Sequence, residues 1–340
     1  MKAIPIILSM TSYIVGSGAA LPQQVISNKD LSIQLGASAE AIEKKTGIVT
    51  RHWVSNGETT ASLAIDAARM ALQSAHLLSS AIDAIIVSTS SPEMFFPSVA
   101  CFVQSALGCK PVPAFDVNAS CSGFLYALSV GDQLIRGGAE NVLVIASEVK
   151  SIYLDRENIQ TVSLFGDGAG AMILSRTNRI GRGSQAGREI RSIKIFSGGP
   201  KEQLITLPAG GSRLPLSDDT LSQNLHVMKM HGTRVFRLAV RKMDEALSCL
   251  LNENGIPLQE IDLFIFHQAN MRILNTVLKK KGISSEKHHT TIRKFGNTSS
   301  SSLPIAYDDA VRHGKIKSGA KICLCTFGGG FTWGAALIGG

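Results

Sequence analysis

The stretch "SCSGFLYALSVGDQLIRGGAENVLVIASEV", residues 120–149, decides the fold. Its first part has apolar residues at helical spacing and stops at Gly137 and Gly138, as helices commonly do. Its second part, "NVLVIASEV", is a short β-branched run that is typical of a buried strand. A helix followed at once by a buried strand predicts an α/β protein built from layers of helices and sheets.

The same alternation continues upstream and downstream of this stretch. Residues 59–77, "TTASLAIDAARMALQSAHL", have helical spacing, and residues 82–91, "IDAIIVSTSS", predict the buried strand that follows. A strand is also predicted in "YIVGSGAALP", residues 13–22, and another in "GAGAMILSR", residues 168–176. The first half of the chain therefore predicts alternating strands and helices.

Two segments of the first half have echoes in the second half, in the same order. "IDAIIVSTSS" resembles "IDLFIFHQAN" at residues 261–270. "FGDGAGAMIL" at residues 165–174 resembles "FGGGFTWGAALI" at residues 327–338. The layout of the opening stretch, a helix, a glycine and a strand, returns at residues 301–325. These echoes predict two related halves.

The composition of the segment between the two halves places their boundary. The chain around "RTNRIGRGSQAGREIR" is polar, glycine-rich and basic, which favours a loop or cap over core. We therefore interpret residues 1–180 as an N-terminal half, residues 181–225 as a loop or cap segment, and residues 226–340 as a C-terminal half.

The bulk composition is that of a globular protein with a basic excess. The chain has 340 residues, 44% hydrophobic and 18% charged, with a net charge of +8. A basic excess favours an acidic partner. With 2 Trp and 4 Tyr, and no interleaving of aromatic and basic residues, a nucleic-acid partner is not expected. No apolar run is long enough to span a bilayer, so no membrane partner is expected either.

The N-terminus and the cysteines indicate a cytoplasmic protein. "MKAIPIILSM" looks like a secretory signal, but Pro5 and the polar "SMTSY" interrupt its apolar run, which favours a short extension instead. The six cysteines form no C-x-x-C pair, so neither a metal site nor a disulfide framework is expected. A reducing compartment is the simplest fit.

Cys121 has two interpretations. A free cysteine is most often a small buried core residue. Alternatively, Cys121 lies where the predicted helix begins, and unpaired backbone N–H groups and the helix dipole there favour a thiolate nucleophile.

Three other features bear on this choice. His267 follows a predicted strand, Asn297 follows Gly296 before a run of hydroxyl residues, and residues 328–330 are all glycine. Each alone has an ordinary interpretation as a loop residue or a tight turn. Together with Cys121 they supply a nucleophile, an imidazole, an amide donor and free backbone N–H groups, which is what thioester chemistry requires.

The motifs "HQANMRI", "GNTSSSSLP", "FGDGAGA" and "GGGFTWG" resemble the β-ketoacyl-[acyl carrier protein] synthase III family of the thiolase superfamily. The resemblance covers nearly the whole chain and implies a thiolase-like five-layered αβαβα fold with two duplicated halves. It places the family's nucleophile, histidine and asparagine at Cys121, His267 and Asn297. It places the oxyanion hole at the backbone N–H groups of Cys121 and Gly329.

The resemblance also implies a reaction without a cofactor. Cys121 would take the acyl group of a primer, acyl-CoA or acyl-carrier protein. Malonyl-carrier protein would then lose CO2 while His267 and Asn297 hold its thioester oxygen, and a β-ketoacyl thioester would result. The alternatives are an acyltransferase or a specialised condensing enzyme of a secondary-metabolite, quinolone or biotin-precursor pathway, and a non-catalytic subunit of the same fold.

Further residues are implied for substrates and partners. Phe96 would reach into the primer pocket of a partner subunit, which implies a homodimer. The other implied substrate-binding residues are Gly232, Phe236, Asn270 and Phe327. The implied docking surface for the acidic acyl carrier protein consists of Arg234, Arg237, Arg272, Lys279 and Lys280.

The chain departs from the family where the nucleotide of CoA binds. A tryptophan that stacks on adenine and an arginine just after it fall on Ala41 and Lys45, and a second arginine falls on Ile159. Loss of stacking and of bidentate phosphate contacts predicts weaker CoA binding. The primer is therefore expected to be an acyl-CoA other than acetyl-CoA, or a carrier-protein thioester.

Overall fold

The computed structural model describes residues 11–178, 187–199 and 203–339, and the proposed N-terminal extension lies outside them. The predicted strand near the N-terminus is present as β1. The strands of the described residues are β1 Tyr13–Ala20, β2 Gln24–Ser27, β3 Thr50–Trp53, β4 Ala84–Ser88, β5 Ala114–Val117, β6 Asn141–Glu148, β7 Gly168–Ser175, β8 Arg188–Ser197, β9 Ile205–Thr206, β10 Lys229–Met230, β11 Leu263–Phe266, β12 His288–His289, β13 Ile322–Gly328 and β14 Thr332–Ile338.

The two helices that the sequence predicts most clearly are present in the structure as α3 and α5. Within the described ranges the helices are α1 Asn28–Leu35, α2 Ala39–Thr46, α3 Thr60–Ala75, α4 Val99–Leu107, α5 Gly123–Arg136, α6 Ile159–Val162, α7 Asp218–Ser222, α8 Gly232–Asn254, α9 Met271–Lys281, α10 Ile292–Phe295 and α11 Ser302–Arg312. In that part of the chain, no helix is both long enough and apolar enough to cross a bilayer.

Ten strands form one mixed sheet whose two halves repeat the same topology. Its strand order is β12-β11-β13-β14-β8-β1-β7-β6-β4-β5. Within the first half, β4 pairs in parallel with β5 and β6, while β7 is antiparallel to β6 and β1. Within the second half, β11 pairs in parallel with β12 and β13, while β14 is antiparallel to β13 and β8. The match of β4 with β11 and of β7 with β14 is the one that the sequence echoes predict.

Three buried clusters define five layers. A middle cluster contains apolar side chains of α5 and α11 together with one face of strands from both halves. An outer cluster packs α3 and α4 against the opposite face of the first-half strands. Another outer cluster packs α8 and α9 against the opposite face of the second-half strands. The arrangement is the five-layered αβαβα fold, with α5 and α11 between the sheet halves.

The prediction of a loop or cap at residues 181–225 is corrected by the structure, because this segment contains the strand β8. Residues 181–225 include Arg188–Ser197, a ten-residue strand that pairs with β14 over seven positions and with β1 at two. By topology β8 is the second half's counterpart of β1, so the prediction of a loop is wrong for these residues. The physical reason is that Arg188, Arg191 and Lys194 recur at every third position of "REIRSIKIFS", so the segment lacks the strict two-residue alternation that predicts a half-buried strand. Residues 179–186 and 200–202 lie outside the described residues.

Close backbone packing joins α3 to β1. A Cβ atom at Gly18 would lie 2.5 Å from the carbonyl oxygen of Ala67 and 2.5 Å from the backbone nitrogen of Ala71. The facing side of α3 consists of buried alanines, among them Ala64 and Ala68. The "GSG" of residues 16–18 therefore serves helix–strand contact, and Thr59 starts the helix by accepting the N–H of Ser62.

We expect Gly18→Val to destabilise the fold by about 3 kcal/mol, because the new side chain must displace helix backbone. Urea denaturation of the purified protein measures the change. Gly211→Val is the matched control, since a Cβ at Gly211 meets no atom within 4 Å. Equal midpoints for the two variants would contradict the packing argument.

Candidate active site

One cavity brings together the three side chains that the sequence singles out as catalytic. It has a volume of about 520 Å³, and Cys121, His267 and Asn297 all line it. Cys121 comes from the first half of the chain, while His267 and Asn297 come from the second half. The cavity therefore joins the two halves of the fold.

Cys121 lies in a 3₁₀ turn, Ser120–Ser122, that runs directly into α5. Ser120 has a φ of +52°, a strained backbone that turns the chain sharply before the helix. A Cβ at Gly123 would lie 2.2 Å from the hydroxyl oxygen of Ser88, so glycine lets the helix start against β4. The side chain of Cys121 thus lies at the N-terminus of a fourteen-residue helix and is 8% exposed.

The environment of the Cys121 thiol opposes ionisation more than it favours it. Burial raises the pKa of the thiol above its ordinary value of 9.0, while a hydrogen bond from Ser299 at 3.4 Å and the charge of Lys150 act in the opposite direction. The favourable effect that the sequence predicts for the helix N-terminus is therefore opposed by the burial of the thiol.

His267 follows β11 and is held by Ser302 at the start of α11. Its Nδ1 lies 2.6 Å from the hydroxyl oxygen of Ser302, which also accepts the backbone N–H of Gln268 at 3.2 Å. Among the described residues, the Ser302 hydroxyl has no acceptor other than Nδ1 of His267, so we place its hydrogen between the two atoms. The hydrogen of the imidazole ring then lies on Nε2, which is buried and has no hydrogen-bond partner among the described residues.

The imidazole of His267 is neutral. Burial lowers its pKa to about 3, against a smaller opposing effect of Glu148. A neutral ring with its hydrogen on Nε2 is a hydrogen-bond donor towards the cavity. Phe327 packs edge-on against it, with 5.3 Å between ring centroids.

Asn297 is fixed by its own backbone and by the turn that follows. Its N–H donates to the carbonyl oxygen of Leu164 at 2.9 Å, and its Oδ1 accepts the backbone N–H of Ser299 at 2.9 Å. The side-chain amide nitrogen is therefore the group left to donate into the cavity. Gly296, with a φ of +67°, allows this approach because a Cβ there would lie 2.9 Å from the same Leu164 oxygen.

The glycine turn contacts the nucleophile turn. A Cβ at Gly328 would lie 2.9 Å from the backbone nitrogen of Cys121 and 2.7 Å from that of Ser122. The same two segments are tied together by Thr326, whose hydroxyl donates to the Cys121 carbonyl oxygen at 3.2 Å. Gly329 is next in the chain, and its N–H as an oxyanion donor stays a prediction.

A buried polar cluster beside Cys121 escaped the sequence analysis. Glu148, at the end of β6, is fully buried and forms an ion pair with Lys150 at 3.0 Å. Burial by itself would raise the pKa of Glu148, but Lys150 and the hydroxyls that donate to it hold that pKa below its ordinary value. The signal in the sequence is a carboxylate that closes an otherwise apolar strand. The hydroxyl donors are Ser90, Ser91, Ser299 and Ser300.

Most of the other predicted site residues also line the 520 Å³ cavity. Those that do so are Gly232, Phe236, Asn270 and Phe327 of the substrate set, and Arg237 and Arg272 of the docking set. Lys45 and Ile159, the positions where the sequence analysis expects the family's CoA contacts to be lost, also line this cavity.

The remaining residues lie outside that cavity. Arg234 lines a neighbouring cavity of about 580 Å³ together with Arg237, Arg241 and Lys242. Lys279 and Lys280 are exposed on α9, and Lys280 pairs with Asp244 at 2.7 Å. Phe96 is 84% exposed.

Comparison with known proteins identifies relatives over the whole chain. Two family models match, "3-Oxoacyl-[acyl-carrier-protein (ACP)] synthase III" at residues 115–190 and its C-terminal counterpart at residues 251–339. The β-ketoacyl-[acyl-carrier-protein] synthase III of Methylococcus capsulatus is 41% identical, covering 97% of this chain and 99% of its own. That of Thiobacillus denitrificans is 41% identical, covering 96% and 98%. The crystal structure of 3-oxoacyl-[acyl-carrier-protein] synthase III from Aquifex aeolicus superposes with a TM-score of 0.86 at 38% identity, covering 97% of this chain and all of that one.

Because burial raises the pKa of Cys121, we expect its alkylation by iodoacetamide to accelerate with pH, about tenfold per unit between pH 7 and pH 9. Peptide mass spectrometry separates this thiol from the other five. Ser299→Ala, which removes a hydrogen bond to the sulfur, should slow the reaction at pH 8. A plateau in the rate below pH 8 would show that the thiol is already ionised and would contradict the assignment.

Proposed function

The chain belongs to the β-ketoacyl-[acyl-carrier-protein] synthase III family, and we propose that it joins an acyl primer to malonyl-acyl carrier protein through an acyl group held on Cys121. It is a condensing enzyme with the thiolase-like fold. The observation that carries the proposed site is the convergence of a thiol, a neutral imidazole donor and an amide donor on one cavity.

The first half-reaction is transfer of the primer. The Cys121 sulfur attacks the thioester carbonyl of the primer, and the resulting oxyanion is held by the backbone N–H groups of Cys121 and Gly329. The carbon–sulfur bond to CoA or to the carrier arm then breaks, and the thiol proton leaves with that sulfur. The neutral Nε2–H of His267 is not required as a base in this step.

The second half-reaction forms the carbon–carbon bond. Nε2–H of His267 and the amide of Asn297 donate to the thioester oxygen of the malonyl group, so the negative charge left by loss of CO2 is stabilised as an enolate. The enolate carbon attacks the acyl carbonyl on Cys121, and the sulfur leaves and regains a proton. No cofactor enters the balance of bonds and electrons.

Partner recognition is proposed from surface chemistry. Arg237 and Arg272 lie at the cavity, and Lys279 and Lys280 extend the positive charge along α9. A surface of this sign suits an acidic carrier protein whose arm enters the cavity.

The oligomeric state and the cellular location of the protein are proposed from two different observations. The exposed apolar group Met94, Phe95 and Phe96 supports a homodimer in which Phe96 closes the partner's primer pocket. All six cysteines are free thiols, which suits the reducing cytoplasm.

We expect His267→Ala to form the acyl-enzyme at close to the wild-type rate but to lose condensation about a hundredfold or more, because it removes a donor to the enolate oxygen. Intact-mass spectrometry follows the acyl adduct, and release of CO2 from malonyl-carrier protein follows condensation. Cys121→Ala is the control and should acquire no adduct. An adduct on that variant, or equal loss of both steps in His267→Ala, would contradict the assigned roles.

We expect the double charge reversal Arg237→Glu and Lys280→Glu to raise KM for malonyl-carrier protein about tenfold, because like charges then face each other. Steady-state kinetics at two ionic strengths measure the effect, which should shrink in high salt. Arg69→Glu on the exposed side of α3 is the control. An unchanged KM in the double variant would place the carrier protein elsewhere.

A further inference from the structure

A second, smaller cavity is also lined by Cys121. It has a volume of about 120 Å³ and also contacts Ser299. Since water occupies about 30 Å³ in the liquid, this space suits about four small groups. Its apolar wall consists of Phe165, Ile205, Leu207 and Met228, and its polar wall consists of Ser90, Ser120, Lys150, Tyr153 and Thr206.

Lys150 is an unusual wall residue for such a space, because its side chain is only 8% exposed. Its ammonium group contacts Glu148 Oε2 at 3.0 Å and donates to the hydroxyl oxygen of Ser90 at 2.7 Å. An ammonium group has three N–H donors. The third has no partner among the described residues, and leaving such a donor unused in a buried site is costly.

The charge of Lys150 is already balanced. Glu148 is its counter-ion, and both carboxylate oxygens are further occupied by hydroxyl donors, Ser300 at 2.7 Å on Oε1 and Ser91 at 2.7 Å on Oε2. The pair is therefore neutral as a unit. A neutral pair with one spare donor suits an uncharged oxygen better than a carboxylate, which would bring an unbalanced charge into a buried space.

We infer that Lys150 selects the primer, and that the preferred primer is a short acyl thioester whose chain carries an uncharged oxygen, as a hydroxyl or keto group. This inference rests on the proposed function, since it assigns the 120 Å³ cavity to the acyl chain attached to Cys121. The third N–H of Lys150 donates to the primer oxygen. Tyr153, whose hydroxyl likewise has no partner in the described part of the chain, lines the same wall.

The test compares two CoA thioesters of equal size. In 3-hydroxybutyryl-CoA a hydroxyl occupies the place of one methyl group of isovaleryl-CoA, and each acyl chain has four non-hydrogen atoms beyond its carbonyl. Quenched-flow acylation of the full chain, read by intact mass, gives both rates without a carrier protein. We expect the hydroxyl primer to react at least about tenfold faster, because a buried donor is left unpaired by the methyl primer.

Substitutions at Lys150 test whether its side chain causes the preference for the hydroxyl primer. Lys150→Met should bring the ratio of the two rates close to one, because the hydroxyl primer loses its donor. The isovaleryl rate should fall less than the hydroxyl rate, and it falls only because the charge of Lys150 also favours ionisation of Cys121. Because this change leaves Glu148 without a counter-ion, the pair Lys150→Met with Glu148→Gln is made as well and should behave alike. Lys110→Met, on an exposed lysine that pairs with Asp83, is the matched control and should keep the preference.

The outcomes separate the inference from the proposed function. Equal rates for the two primers, or equal slowing of both by Lys150→Met, would overturn the inference while the condensing function stands. Faster acylation by succinyl-CoA than by 3-hydroxybutyryl-CoA would also overturn it, since the preferred group would then be a carboxylate. If no thioester acylates Cys121, the proposed function itself fails.

Discussion

The contact between two serine-rich turns is the constraint on which the rest of the site depends. The turns Ser120–Ser122 and Ser299–Ser301 lie at the N-termini of α5 and α11, the two helices of the buried middle layer. The 3.4 Å contact between Ser299 and Cys121 is where they meet. Because the halves share one topology, both helices begin at the same level of the molecule. The donors His267 and Asn297 can therefore come from chain segments 146 and 176 residues after the nucleophile Cys121.

Much of this arrangement can be predicted from the sequence, because it is encoded in local patterns. The helix α5, the strand β6 and the duplicated layout follow from periodicity and echoes, and Cys121 and His267 follow from their place beside them. The strand β8 was missed because Arg188, Arg191 and Lys194 recur at every third position and break the two-residue alternation that is typical of a strand. The Glu148 cluster was missed because its hydroxyl partners come from two segments, residues 90–91 and 299–300, which no spacing rule connects to Glu148.

The electrostatics of the site explain its division of labour. His267 is neutral, Lys150 and Glu148 neutralise each other as a pair, and burial raises the pKa of the Cys121 thiol. Prearranged donors meet the charge that develops as bonds rearrange, at little reorganisation cost. A buried network of this kind demands that every member be satisfied, which makes a spare donor on Lys150 informative.

The run "TSSSS", residues 298–302, has the composition of a linker, yet its hydroxyls are individually committed. The Ser299 hydroxyl is shared between the Cys121 sulfur and the Glu148 carboxylate, and the Ser300 hydroxyl donates to the same carboxylate. Ser302 contacts the imidazole of His267, and Ser301 donates to the carbonyl oxygen of Thr298. Replacement of a serine in this run therefore removes a different contact at each position. A sequence search that masks repetitive segments would therefore leave out serines whose side chains each make a specific contact in the site.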